Sequence, residues 1–226
     1  MRGRSAVGGL IVGSLIFWIL ATDASAVTLD FTNAIFDPSG ASSITATVGG
    51  VTVTIEAAAP VGAPLFWTGG ATPDAYGFLD GFGVNGQKVN PNSYEADEIE
   101  GPDILKVSFA TGVILSDIKI TNLFNEGSPQ YLEQGSYSLN GGAPVTFFAD
   151  PLQLPSPASN GVLTLTGLPP TVVNFITFSA PGLINGQNHE FSVAGLTVSP
   201  VPEPATLILL GSGLVGVSVA ARRRRK

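Results

Sequence analysis

The chain has 226 residues, no cysteine, 28 glycines and 17 prolines, and a formal net charge of −7. Without a thiol it can form no disulfide, cysteine nucleophile or thiolate metal site, so its stability must come from burial and backbone pairing. Between residues 27 and 201 the only cations are Lys88, Lys106 and Lys119, against fifteen of the chain's 17 acids, which gives that segment a net charge of −12. Such a surface repels nucleic acid and anionic membranes.

Residues 1–26 read as a secretory signal peptide. Arg2 and Arg4 are the positive leader, residues 7–20 are apolar, and Ala24-Ser25-Ala26 places small side chains at the cleavage positions, so signal peptidase is the expected partner after Ala26. A retained N-terminal anchor is the plainer reading of the same run.

Residues 27–198 are long enough for one β domain, and residues 199–201 are expected to be a short linker. Residues 27–32 alternate apolar and polar side chains, as do 44–48 and 51–55 on either side of Gly49-Gly50. That spacing predicts a two-residue hairpin, with threonines on its solvent face. Residues 60–92 are rich in glycine, proline and aromatics, which predicts long loops with short strands. Further strands are expected at 105–109, 118–123, 135–139, 145–148, 162–166, 172–179 and 190–198, with Asn140-Gly141 as a turn. About ten short strands without a convincing helix predict an all-β fold, an antiparallel β-sandwich of jelly-roll type.

Three features of this domain invite chemistry. The stretch from Glu95 to Asp103 holds five acids, and hard oxygen ligands at short spacing suit calcium, with Asp97, Glu98 and Glu100 as the candidate ligands. A solvated acidic loop and a catalytic carboxylate pair are the competing readings, and no EF-hand spacing is present. Trp67 and Tyr76 are candidate platforms for a sugar ring, although loop aromatics commonly plug the end of a sandwich. His189, the single histidine, is expected at the surface or on a strand edge. No Gly-x-Ser-x-Gly elbow flanks a serine, and Gly81-Phe82-Gly83 precedes no helix.

The chain closes on Pro202-Glu203-Pro204, an uncharged run over residues 205–221, and then Arg222, Arg223, Arg224, Arg225 and Lys226. The prolines predict extended backbone. As a helix, the 17-residue run spans about 25 Å, slightly short of a hydrocarbon core, and it is interrupted by Gly211, Gly213 and Gly216. The five cations should stay cytoplasmic. An ordinary single-pass anchor shares the apolar run and the cations but has no need of Pro-Glu-Pro.

This tail (residues 202–226) resembles the PEP-CTERM sorting signal. The resemblance implies recognition by an exosortase, a membrane-embedded transpeptidase of exopolysaccharide-producing Gram-negative bacteria, with cleavage near Pro202, Glu203 and Pro204. The expected product is a non-enzymatic surface or matrix protein associated with exopolysaccharide or biofilm. A calcium-assisted carbohydrate-binding module and a secreted glycan hydrolase are the other readings.

Overall fold

The structure is a computed structural model that describes residues 25–71, 77–86, 98–128, 131–152, 158–185, 187–201, 211 and 213–215. The all-β expectation holds. The strands are β1 (Val27–Asp30), β2 (Ser43–Val48), β3 (Val51–Ala59), β4 (Leu65–Thr68), β5 (Gly81–Val84), β6 (Ile99–Glu100), β7 (Ile104–Thr121), β8 (Asn125–Ser128), β9 (Tyr131–Leu132), β10 (Gln134–Leu139), β11 (Val145–Phe148), β12 (Leu163–Leu165), β13 (Val172–Ser179) and β14 (Glu190–Pro200). One 3-10 turn, Ala34–Phe36, is capped by the Asn33 side chain, which accepts from the Ile35 N–H.

The glycine hairpin forms as its sequence predicts. Gly49 (φ +56°) and Gly50 (φ +82°) both take the left-handed backbone that a two-residue turn requires. On the outer face of that hairpin, the Thr45 and Thr54 hydroxyls lie 2.8 Å apart, as do those of Thr47 and Thr52.

Twelve strands join into one antiparallel network, and β8 and β9 form a separate pair. The organising element is β7. Sequence spacing divides it into two strands, but it runs as one extended element from Ile104 to Thr121, with a register shift at its middle where the pairing passes from Ser108 to Val113. Fully extended, 18 residues would span about 55 Å. Yet Glu100, joined to Ile104 through a turn in which Asp103 N–H donates to Glu100 O at 3.0 Å, pairs with Glu190, while Thr121 pairs with Ser192. Both ends of β7 therefore reach the same end of β14, so β7 doubles back. The exposed residues Ala110 and Thr111 mark where it bends.

The first half of β7 pairs with β3 and β13; the second half pairs with β14 and β12. β13 follows the bend through a register shift between Val173 and Phe175. Such a bulge increases local twist and turns a sheet over itself. Asn140 (φ +52°) stitches the bulge from the β10–β11 turn. Its Oδ1 accepts from Asn174 N–H at 2.8 Å and Phe175 N–H at 3.3 Å, and its Nδ2 donates to Val172 O at 2.8 Å.

The two halves of the bent sheet face each other across the core. Phe147 of β11 and Phe191 of β14 lie four steps apart along the strand order, yet their rings meet edge to face at 5.1 Å. Gly135 of β10 makes room for both rings, since a Cβ there would lie 2.4 Å from Phe191 and 2.5 Å from Phe147. Val53, Ile55, Leu105, Val107, Ile176 and Phe178 from one half, and Ile118, Ile120, Val193 and Val198 from the other, are fully buried.

The residues expected as a linker are part of the fold. Ser199 and Pro200 pair with Ile114 and Val113, and Val201 N–H donates to Gly112 O at 3.1 Å. β14 continues two residues beyond the expected end at Val198, and proline is tolerated there because it falls on the last residue of the strand.

Candidate functional site

Polar and acidic side chains gather at the end of the domain where β14 begins. β6 and the turn after it bring Glu100 and Asp103 there, both 1% exposed, with Glu98 at 4%. This corrects the expectation of a solvated acidic loop for these three residues. Ile99, fully buried between Glu98 and Glu100, draws its neighbours under the sheet. Asp97 lies outside the described residues.

Glu100 stands directly opposite Glu190 in the β6–β14 pair. Like charges so placed repel. Asn188 bridges them, with Nδ2 donating to Glu100 Oε2 at 2.9 Å and to Glu190 Oε2 at 2.5 Å. The Tyr131 hydroxyl donates to Asn188 O and fixes that residue in turn. Burial, and then the charge of Glu100, push the Asp103 carboxyl up from 3.8 to about 7, against the lowering effect of its backbone hydrogen bond to Glu100. Near neutral pH, Asp103 therefore holds a proton part of the time.

His189 is buried at 4% exposure, which corrects its expected place at the surface. Its Nδ1 accepts from Gln134 N–H at 3.2 Å, and its ring lies 5.6 Å from that of Tyr131. An accepting Nδ1 requires the neutral ring with its proton on Nε2. Burial lowers the His189 pKa, which favours that form. Glu133 lies alongside, buried, with Oε2 accepting from Phe124 N–H at 2.5 Å. A second buried node joins β4, β5 and β7: Asp80 N–H donates to Thr68 Oγ1 at 2.8 Å, and the Thr121 hydroxyl donates to Asp80 O at 2.7 Å.

Among the described residues, no three acidic or histidine side chains are set to ligate one metal ion. Of the candidate ligands, Glu100 has a described acid beside it, Asp103. Sequence reading counted Asp103 in the acidic cluster without naming it as a ligand, and passed over Asn188 and Glu133. The run Asn188-His189-Glu190, three polar residues opening an apolar strand, was the available signal.

Trp67 is half-buried, with Nε1 donating to Phe31 O at 2.6 Å and its ring against Gly69, where a Cβ would meet it at 2.3 Å. Tyr76 lies outside the described residues. An open groove of about 310 Å³ is lined by the polar residues Thr28, Asp30, Asp117, Lys119, Thr164 and Thr197 together with Leu29, Ala194, Gly195 and Leu196.

The processing sites lie at the chain's two ends. Ala26 is exposed, whereas Ala24, Pro202, Glu203, Pro204 and residues 216–226 lie outside the described residues. Gly211 and residues 213–215 are helical, and no helix among the described residues is long and apolar enough to cross a membrane. Compared with known families, residues 200–225 match the PEP-CTERM protein-sorting motif. No curated protein matches the chain.

Proposed function

We propose that this chain, which carries the PEP-CTERM protein-sorting motif, is an exosortase substrate exported to the surface or extracellular matrix of a Gram-negative bacterium and retained there with exopolysaccharide or biofilm. The single observation that carries the reading is the motif at residues 200–225, directly after the last strand of the fold. In this reading, residues 1–26 are removed by signal peptidase and residues 205–221 hold the precursor in the membrane transiently. The cations Arg222 to Lys226 remain in the cytoplasm until the exosortase acts near Pro202, Glu203 and Pro204.

The domain between the ends is then a passive, non-enzymatic module. The facing rings of Phe147 and Phe191 support a jelly-roll-like sandwich as its frame. The groove between β1, β7, β12 and β14 offers polar contacts to a glycan. The test is co-expression with an exosortase. Wild type should lose its tail by mass, while a Pro202→Ala/Pro204→Ala variant keeps it; equal tail retention in both contradicts the proposal.

The second reading is a calcium-assisted carbohydrate-binding module. It draws support from the Asp103 carboxyl, buried beside that of Glu100.

A further inference from the structure

Both chain ends leave the domain from one pole. Val27, the first residue of β1, pairs with Val198, two residues before the end of β14. The Gly49 turn closes over the same spot, since a Cβ on Gly49 would lie 2.9 Å from the Val27 side chain. The bend of β7 is there too, through Val201 N–H to Gly112 O. So are the start of β13, where Val172 pairs with Ile114, and the β10–β11 turn, which reaches it through Asn140.

The residues that build this pole are 27–28, 48–51, 110–114, 140–144, 167–174 and 198–201, and they include no Asp, Glu, Lys, Arg or His. In a segment of net charge −12, that is a marked gap. The acids stand at the other end: buried Glu100 and Asp103 and half-buried Glu190 lie where β14 starts, about 30 Å back along that strand.

The tether is also short. From Val201, held by its hydrogen bond, to Ala205, where the apolar run begins, four residues reach at most about 14 Å.

We infer that the uncharged pole formed by the β7 bend, the Gly49-Gly50 turn and the paired ends Val27 and Val198 is the face this domain presents to the lipid bilayer, with the buried acids pointing away from it. The inference rests on the proposed membrane-attached precursor. A net-negative domain on so short a tether is repelled by anionic lipid wherever its carboxylates approach. Presenting the uncharged end removes that repulsion. It also sets both processing sites, after Ala26 and near Pro202, on one side of the folded body.

The absence of native cysteine makes the test direct. The full-length precursor is reconstituted in vesicles containing anionic lipid. It carries a single fluorophore at Thr111→Cys or Thr171→Cys, both exposed at the pole, or at Gln187→Cys, exposed at the far end. Nitroxide headgroup lipid should quench the two pole labels at least twofold more than the label at Gln187→Cys. A precursor that floats with the vesicles but shows equal quenching at all three positions contradicts the orientation and leaves the sorting tail standing. A precursor that does not float contradicts the tail reading, and the orientation with it.

Discussion

Val27 stands directly opposite Val198 in the β1–β14 pair, so the first ordered strand of the domain closes beside the last. The fold therefore closes without drawing either of these strand ends through the structure. The domain's final hydrogen bond, Val201 N–H to Gly112 O, falls one residue before Pro202. In the proposed function, cleavage near Pro-Glu-Pro takes place within a few residues of this hydrogen bond.

The interlock of Phe147, Phe191 and Gly135 carries the packing of one half-sheet on the other. Phe191→Ala should destabilise the mature protein by about 3–5 kcal/mol, the range for emptying an aromatic core site. Gly135→Ala should cost about 1–3 kcal/mol, because its new methyl collides with both rings. Urea denaturation measures both. A neutral Gly135→Ala would mean that the two rings do not enclose that position.

Asn140 ties down the β13 bulge with three hydrogen bonds from an exposed turn. Asn140→Ala should cost about 1–3 kcal/mol despite that exposure. Asn140→Gly relieves the positive φ but loses the same bonds, so it should recover only part of the loss. Hydrogen exchange at the Asn174 and Phe175 amides should quicken in both variants, and unchanged protection there would contradict the tie.

Two buried groups give stability opposite slopes with pH. Asp103 binds its proton more tightly folded than unfolded, so unfolding releases that proton between pH 3.8 and about 7. Stability falls as pH rises through that window, by at most about 4 kcal/mol. Asp103→Asn should therefore gain on wild type as pH rises and melt higher at pH 8. His189 behaves the other way. Its folded pKa lies below 6.5, so its contribution is complete above pH 6.5 and is lost as pH falls and the unfolded chain takes up a proton. His189→Gln should flatten the acid limb of the Tm curve. Curves parallel to wild type for both variants would contradict these assignments.

Calcium separates the two readings of the acidic end. If the candidate ligands Asp97, Glu98 and Glu100 hold an ion, millimolar calcium should raise Tm and a chelator should lower it, by a shift that Asp97→Asn abolishes. An unchanged Tm removes the calcium-assisted reading and leaves the passive module.

Much of the strand pattern was legible because alternation was clean. The Gly49-Gly50 hairpin, the Asn140-Gly141 turn and β13 fall where period-two spacing puts them. Two features were hidden for physical reasons. Ala110-Thr111-Gly112 looks like a break between strands, but it is a bend in one element, and only the pairing of β13 with both Ser108 and Val113 reveals the continuity. Glu98, Glu100 and His189 carry surface-type side chains, and their burial depends on Ile99 and on partners some 90 residues away in sequence, such as Asn188 for Glu100. The sorting tail was readable because its signal is local, while the acidic end is assembled from β6, β14 and the strands around Tyr131.

The most direct measurement of the central claim is the intact mass of the protein recovered from the surface of cells that contain the exosortase. Our account predicts a chain that begins at Val27 and has lost Arg222 to Lys226 together with the apolar run. A surface form that still carries those arginines would contradict it.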